Sequence, residues 1–344
     1  MGTRGCLNSP SSCRHIYRAI SQHYWLLVEI LPASNAVSSP LLSSVVRSPA
    51  LRVVLLSVLA LMSFAYLSGC STNRLLARAV ADQLAAEADD KEEDLELARD
   101  AAPFFLKFSE SVLAQTPDHV ALAETVAAGF VRYAWAFVAF EADRIEHSDS
   151  KAAARLRQRA VKLYARAEGH AMRALEHHYP GIGQRLAESS WPRESQEIAP
   201  RHAGLAYWAA AAWGARISLS KSDAESLAQL PAAMRLVTRL TACCLTWGDG
   251  AIAALAGNFE AGRPGGRSED ARRWFDEATR LSGGRKAAVP LARAEALSLP
   301  AGDREEFVRL VRESVAIASR YPGADNRIML DRARWLLDTV DDRF

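Results

Sequence analysis

The chain has 344 residues, with 42 basic and 40 acidic side chains and a formal net charge of +2. Five arginines and one glutamate fall within residues 1–69, so the remainder is slightly acidic overall. This balance argues against a nucleic-acid-binding domain, which would show a basic face. The remainder is also long enough to bury a stable core without disulfides or metal ions.

Residues 1–52 differ from the start of an ordinary signal peptide, because they are long and rich in serine. No methionine occurs between Met1 and Met62. We therefore expect translation to begin at a non-ATG codon close to the apolar run that follows, at Val45, Val46 or Leu51, which would leave the upstream residues untranslated.

A lipidation motif follows. The apolar run Val53–Tyr66 is preceded by Arg47 and Arg52 and ends in Leu67–Cys70, which reads Leu-Ser-Gly-Cys. A basic flank, an apolar run and small residues form the layout of a secretory signal. A cysteine after Leu-Ser-Gly resembles the lipobox of bacterial lipoproteins, in which that cysteine is acylated, with palmitate for example, and becomes the first residue. A transmembrane helix is the weaker alternative, because it needs about 20 apolar residues.

This motif divides the chain into three predicted segments: a cleaved leader over 1–69, a lipidated tether over 70–91 and a domain over 92–344. The highly charged stretch Asp89–Glu96 suits an exposed linker or helix start. Ser71, rather than aspartate, follows the cysteine, as in lipoproteins sent to the outer membrane. We expect an envelope protein anchored there by lipid and facing the periplasm.

The pattern from residue 92 onward predicts an all-α domain. Apolar residues return at spacings of three and four, and no stretch alternates apolar with polar residues as a half-buried strand would. Ser222–Glu225 has the composition of a capping box, and Asp303 with Glu306 forms a poorer one. Turn-forming residues predict the helix ends. These are His-Ser-Asp at 147–149, and segments with proline or glycine at 116–118, 179–181, 262–266, 283–284, 300–302 and 321–323.

Two helices share a pattern of small and aromatic residues, in which alanine, an aromatic residue and alanine are separated by three and two positions. This spacing puts the three side chains on one face, so a second helix can approach closely around the ring. It is the second-helix signature of a tetratricopeptide repeat. The two copies are Ala160, Tyr164 and Ala167, and Ala271, Phe275 and Ala278. Because their spacing is irregular, we predict a divergent tetratricopeptide-like α-α superhelix.

Three cysteines follow residue 69, and the two beyond the lipobox are the adjacent Cys243 and Cys244. Neighbouring side chains in the middle of a helix diverge by about 100°, which opposes a bridge between them. We expect both to be small buried side chains, and we expect no disulfide framework.

Aromatic side chains supply the candidate ligand cleft. Tyr133 and Phe137 fall on one helical face with Phe140, and Trp208 and Trp213 flank an alanine run. If some of these rings face a cleft, they suit an apolar or amphipathic ligand; the alternative is that they belong to the core. Arg216 is placed either to meet a ligand carboxylate or to pair with a neighbouring acid. The candidates are Tyr133, Phe137, Tyr207, Trp208, Trp213 and Arg216.

The remaining motifs predict neither a metal nor a cofactor. His170, His177 and His178 do not converge as a metal site requires, and the loop 262–266 suits a rigid connection or contact surface better than a phosphate cradle, because acids follow it. Hydrolase, zincin and P-loop motifs are absent from the sequence. We therefore expect a non-enzyme.

Several segments together resemble one family, the T-component of tripartite ATP-independent periplasmic (TRAP) transporters. Its most specific elements are Tyr207-Trp208 followed by alanines and Trp213-Gly214, together with Ser282–Lys286. The resemblance covers about residues 92–344. The segments that carry it are 127–141, 155–176, 205–223, 258–285 and 286–317.

The resemblance implies a tetratricopeptide-like lipoprotein that works with a TRAP solute-binding protein and its permease. It also implies self-association around a pore or cleft, through which an organic-acid or apolar ligand reaches the binding protein. Two alternatives stay open, namely a lipoprotein scaffold for another envelope assembly and a hydrolase with an unrecognised site.

Overall fold

The computed structural model describes residues 53–54, 57, 75–86, 92, 94–188 and 197–344. Cys70 and nearly all of the predicted leader lie outside these residues. The chain divides into two compact units, Met1–Gly69 and Cys70–Phe344. The helices below belong to the second unit.

The described part of the second unit is helical, and no described residue lies in a strand, which confirms the all-α prediction. Residues 75–86 form a helical segment ahead of the main helices. The helices that follow are α1 (Leu95–Gln115), α2 (Val120–Tyr133), α3 (Phe140–Ile145), α4 (Ser150–His178), α5 (Ile182–Glu188), α6 (Ala203–Leu219), α7 (Ala224–Ala228), α8 (Leu230–Cys244), α9 (Ala251–Gly262), α10 (Ser268–Ser282), α11 (Ala288–Arg293), α12 (Arg304–Arg320) and α13 (Ala324–Asp338).

Aspartates start many of these helices, because their carboxylates accept the unpaired N–H groups of the first turn. Asp94, Asp149 and Asp303 cap α1, α4 and α12 in this way. The capping box predicted from Ser222 is wrong by one residue. The cap of α7 is Asp223, which accepts from Ser226 N, and its carboxylate is the stronger acceptor.

Two helices continue through a π-helical segment. Ala134–Ala139 joins α2 to α3, and Ala294–Ser298 extends α11. A π-helical turn holds an extra residue, so it changes which side chains of the following helix face the core. Tyr133 and Phe137 remain in contact across the first segment, with ring centroids 5.7 Å apart. Phe140, predicted on the same face, instead packs against Trp335 of α13 at 5.3 Å.

Each long helix packs against the next long helix along the chain, α2 on α4, α4 on α6 and α6 on α8. From α8 to α13, every helix packs against the one that follows it. Small residues permit the close approaches. A Cβ added at Gly257 of α9 would lie 3.1 Å from the ring of Phe275 on α10, and one at Gly250 would lie 2.5 Å from the carbonyl oxygen of Ala278. Gly250 also has a φ of +90°, a conformation that favours glycine.

The last helix, α13, contacts α3 near the start of the domain. Arg144 Nη2 of α3 lies 2.6 Å from Asp331 Oδ2 of α13, and Arg332 Nη1 of α13 lies 3.2 Å from Asp143 Oδ2 of α3. In an open solenoid each repeat contacts only its neighbours, so this closing contact departs from that arrangement. The structure establishes an all-helical domain, and the tetratricopeptide-like superhelix stays a prediction.

The expectation for the two adjacent cysteines is wrong. Cys243 and Cys244 are joined by a disulfide, with Cys244 buried and Cys243 half-buried. The argument against a bridge assumed the middle of a regular helix, whereas α8 ends at Cys244. The pair therefore lies in the last turn, where a helix frays most readily.

Candidate functional site

A group of half-buried rings surrounds the N-terminal half of α6. The ring centroid of Tyr207 lies 4.9 Å from that of Trp208 and 4.9 Å from that of Trp247, which lies in the turn before α9. The guanidinium of Arg132 lies 5.0 Å from the centre of the Trp208 ring. We call these four residues the α6 aromatic cluster. Its partly exposed rings and one cation suit an apolar or anionic ligand.

The cluster lies at the place where the two ends of the domain meet. Arg132 Nε of α2 is 3.5 Å from Asp325 Oδ1 of α13. Burial raises the pKa of Tyr207 to about 12, while Arg132 and Asp325 act on it in opposite directions. The Tyr207 hydroxyl therefore stays protonated at neutral pH, and it can donate a hydrogen bond.

The N-terminus of α6 is held by an acid from α2. Glu124 accepts a hydrogen bond from the backbone of Leu205, and a Cβ at Gly204 would lie only 2.0 Å from Glu124 Oε1. A side chain at position 204 would therefore displace the Glu124 carboxyl group from its present position. Burial raises the pKa of Glu124, and nearby Arg132 opposes the rise. The hydrogen bond from Leu205 links the N-terminus of α6 to α2.

Trp213 and Arg216 lie on a different side of α6 from Trp208. Around the helix axis, Trp213 is about 140° from Trp208. Trp213 is buried and donates to Gln229 Oε1 at 3.0 Å. Arg216 Nε donates to Glu168 Oε2 of α4 at 2.7 Å, and Arg216 Nη2 donates to the same Gln229 oxygen at 2.5 Å. Of the two roles predicted for Arg216, the structure therefore shows the pairing with a neighbouring acid.

The predicted cleft residues on α2 also separate from the α6 aromatic cluster. Tyr133 is buried and its hydroxyl accepts from Arg159 Nη2 of α4 at 3.3 Å, while Phe137 is half-buried beside it. Among the described residues, no ring contact joins this pair to Tyr207 or Trp208. Of the six candidates, only Tyr207 and Trp208 come together in one partly open group.

A network that sequence reasoning missed surrounds Arg332. Its guanidinium contacts Glu295 Oε1 at 2.5 Å and lies 5.0 Å from the ring centre of Phe140 and 5.5 Å from that of Trp135. Although burial disfavours its charge, Glu295 and then Asp143 hold the pKa of Arg332 above its usual value. The network joins both π-helical segments to α13. No local signal marks it, because Glu295 lies 37 residues and Asp143 lies 189 residues from Arg332 along the chain.

The predicted repeat-packing residues all lie in the core. The two aromatic residues are among the fully buried side chains, and the alanines around them are inaccessible to solvent. Tyr164 lies in the large core cluster around α4 and α6, and Phe275 lies in a smaller cluster formed by α9, α10 and α11. The members are Ala160, Tyr164, Ala167, Ala271, Phe275 and Ala278.

His178 and His202 lie together, at the end of α4 and just before α6. Tyr179 Oη is hydrogen-bonded to His202 Nδ1 at 2.8 Å, and the centroid of the His178 ring lies 4.6 Å from that of His202. Burial lowers the pKa of both His178 and His202. Within the described ranges, no group of three or more His, Cys, Asp or Glu side chains could hold a metal ion.

Across the described part of the chain, no helix has the length and apolar content that a membrane span requires. The described part of the domain is thus an all-helical unit in which the half-buried α6 aromatic cluster lies between α2, α6 and α13. A family model for the TRAP transporter T-component matches residues 91–344. The chain belongs to this family, and its membership indicates an accessory role in TRAP transport.

A relative from Treponema pallidum (strain Nichols) is 26% identical over 302 residues. The match covers 80% of this chain and 94% of that protein, which is described only as an uncharacterized protein. It therefore supports a shared domain over most of the length and carries no further functional information.

Proposed function

We propose that the chain is a lipid-anchored accessory protein that faces the periplasm and docks the solute-binding protein of a TRAP uptake system. The single observation that carries the proposal is the family match over residues 91–344. The lipobox-like motif ending at Cys70 supports the anchor, and the absence of hydrolase motifs favours binding over catalysis.

We further propose that the α6 aromatic cluster forms part of the path of the ligand. Its rings are half-buried, and Arg132 supplies a cation that can attract an anion. An organic acid or an apolar ligand would contact Trp208 and Tyr207 as it passes between this protein and the binding protein.

Co-purification with the cognate solute-binding protein tests the docking role. The full chain should retain that protein, and Trp208→Ala should retain less of it. Trp274→Ala is the matched control, because Trp274 is also half-buried but lies on α10, outside the α6 aromatic cluster. If no solute-binding protein co-purifies under any ligand condition, the transport role is wrong and the scaffold alternative gains support.

The anchor is tested separately by Cys70→Ser. Wild-type protein should fractionate with membranes and carry the mass of its acyl chains, whereas the variant should be released and lack that mass. A membrane-bound Cys70→Ser protein of unchanged mass would show that the anchor is not at this cysteine.

A further inference from the structure

One face of α1 exposes three phenylalanines to solvent. Phe104, Phe105 and Phe108 are 69%, 54% and 43% exposed, although burial of such a ring is what gains free energy. The ring centroids of Phe104 and Phe108 lie 6.1 Å apart in nearly parallel planes, and those of Phe104 and Phe105 lie 5.7 Å apart. We call these three residues the α1 phenylalanine face. Contiguous exposed apolar patches mark surfaces that contact proteins or membranes.

The core contact of α1 uses a different side of the helix. Leu106 and Leu113 are buried in the large core cluster, and Leu106 lies about 100° from Phe105 around the helix axis. Leu97 extends the exposed stripe, because it precedes Phe104 by seven residues, which is about two helical turns. The packing of the described helices therefore leaves this stripe uncovered.

The helical segment ahead of α1 is bound to the turn between α1 and α2. Arg78 forms an ion pair with Asp118, and Asp82 Oδ1 lies 2.9 Å from His119 Nε2. Phe108 lies seven residues before the end of α1, about 10 Å from that end along the helix axis. The segment thus meets the domain at the end of α1 that is closest to Phe108.

The position of Cys70 in the chain indicates what covers this stripe. Leu75, in the segment ahead of α1, follows Cys70 by five residues, and a chain of that length spans at most about 18 Å. An acyl anchor at Cys70 would therefore keep this segment, and the turn between α1 and α2 to which it is bound, close to the membrane surface. Leu75 and Leu76 are themselves exposed apolar side chains.

Charged side chains border the α1 phenylalanine face and limit how deeply it can lie in a bilayer. Asp100 and Lys107 are both exposed, and each lies about one turn from Phe104, displaced to the same side of it. An amphipathic helix of this kind lies in the membrane interface with its apolar side about 5–10 Å deep. We propose that α1 lies on the bilayer surface with the α1 phenylalanine face inserted among the lipids. The proposal rests on the acyl anchor at Cys70 proposed above.

A nitroxide spin label on Ser111→Cys tests the proposal in the full acylated chain, reconstituted into vesicles of phosphatidylethanolamine and phosphatidylglycerol. Ser111 is exposed and lies one turn after Phe108. The label should lose most of its collisions with a water-soluble nickel chelate and gain collisions with oxygen, which concentrates in the bilayer. Adding Phe104→Ser and Phe105→Ser should return the label to water. Both rings are more than half exposed, so these changes should leave the fold intact.

The matched control is a label on Ser319→Cys of α12. Like Ser111, Ser319 is exposed on a helix, and its hydroxyl donates to the carbonyl oxygen four residues earlier. The label on Ser319→Cys should stay accessible to the nickel chelate. Wild-type protein treated in the same way shows how much label its own cysteines take up.

The possible failures are distinguishable. If the protein does not sediment with the vesicles, the anchor at Cys70 is wrong, and so is the membrane contact of α1. If it sediments while both labels meet the nickel chelate equally often, the anchor stands and the membrane contact of α1 is wrong. Spin–spin broadening at Ser111→Cys without added oxygen collisions would show that a second copy of the chain covers the face, which also overturns the proposal.

Discussion

The two sides of α6 carry the same kinds of residue in opposite settings. On one side, Trp213 and Arg216 are enclosed, and their polar atoms are hydrogen-bonded to Gln229 and Glu168. On the other side, Trp208 is half-buried beside Arg132, which is exposed and has only a 3.5 Å contact with Asp325. The first side belongs to the core, because the N–H donors of Trp213 and Arg216 have acceptors within the protein. The second side is partly open to solvent.

This difference shows why a tryptophan and an arginine close together in sequence do not by themselves define a binding site. A buried guanidinium requires a counter-charge, and Arg216 has one on α4. A ligand could reach Arg216 only by displacing Glu168. Arg132 can exchange its partner at much lower cost, because both members of its pair face solvent.

The largest expected contrast is in the tryptophans. Trp213→Ala should lower the free energy of unfolding by about 3–5 kcal/mol, because it empties a core position and leaves Gln229 with one donor fewer. Trp208→Ala should cost only roughly 1–2 kcal/mol, since the ring is already half in water. Urea denaturation followed by circular dichroism measures both. Equal losses would mean that the two sides of α6 are both core.

The arginines should show a similar contrast of slightly smaller size. Arg216→Ala leaves Glu168 buried without its partner and should destabilise by about 3 kcal/mol or more. Arg132→Ala breaks an exposed pair and should cost no more than about 1 kcal/mol. Combining Arg216→Met with Glu168→Leu should recover most of the loss, because no isolated charge then remains. A double variant as unstable as Arg216→Ala would contradict this account.

The smallest effect is a pH dependence at Glu124. Burial raises its pKa above the usual 4.5, so the folded protein binds this proton more tightly than the unfolded chain does. Stability contributed by the protonated form is therefore present at low pH and lost as the pH rises through the raised pKa. Glu124→Gln removes this loss while its amide oxygen can still accept from Leu205.

We accordingly expect the melting temperature of Glu124→Gln to exceed that of wild type at pH 7, with the difference shrinking toward zero below pH 4.5. Glu168→Gln gives a contrast from the other side of α6. Burial raises the pKa of Glu168 too, but Glu168 pairs directly with Arg216, so this variant should destabilise at pH 7 because Arg216 then has no counter-charge. A pH-independent difference for Glu124→Gln would show that the Glu124 proton is not coupled to folding.

Local signals predicted most helix boundaries. Prolines, glycines and aspartates mark helix ends such as 116–118 and 321–323, because they act on the backbone of their own residues. The turn before α9 was missed, although Gly248, Asp249 and Gly250 all take positive φ there and the Gly-Asp-Gly sequence was visible. The periodicity of apolar residues alone does not mark this turn.

The site was harder to predict, because its features depend on distant residues. Periodicity assigns a ring to a face but does not say whether another helix covers that face, as α8 and Gln229 do for Trp213. The Arg332 network joins residues from Trp135 to Trp335, and the register that brings them together depends on two π-helical segments without a simple sequence signature. Such contacts follow from the assembled fold.

The two π-helical segments have a consequence for how this domain tolerates insertions and deletions. Removing one residue from Ala134–Ala139 would restore an ordinary α-helix and, because the π-helical turn already absorbs the extra residue, would leave α3 close to its present orientation. Removing one residue from the regular part of α2 would instead rotate everything beyond it by about 100°. Phe140, Asp143 and Arg144 would then turn away from α13, although every one of them would still be present. The first π-helical segment is therefore the place where a change in chain length by one residue disturbs the contact between α3 and α13 least.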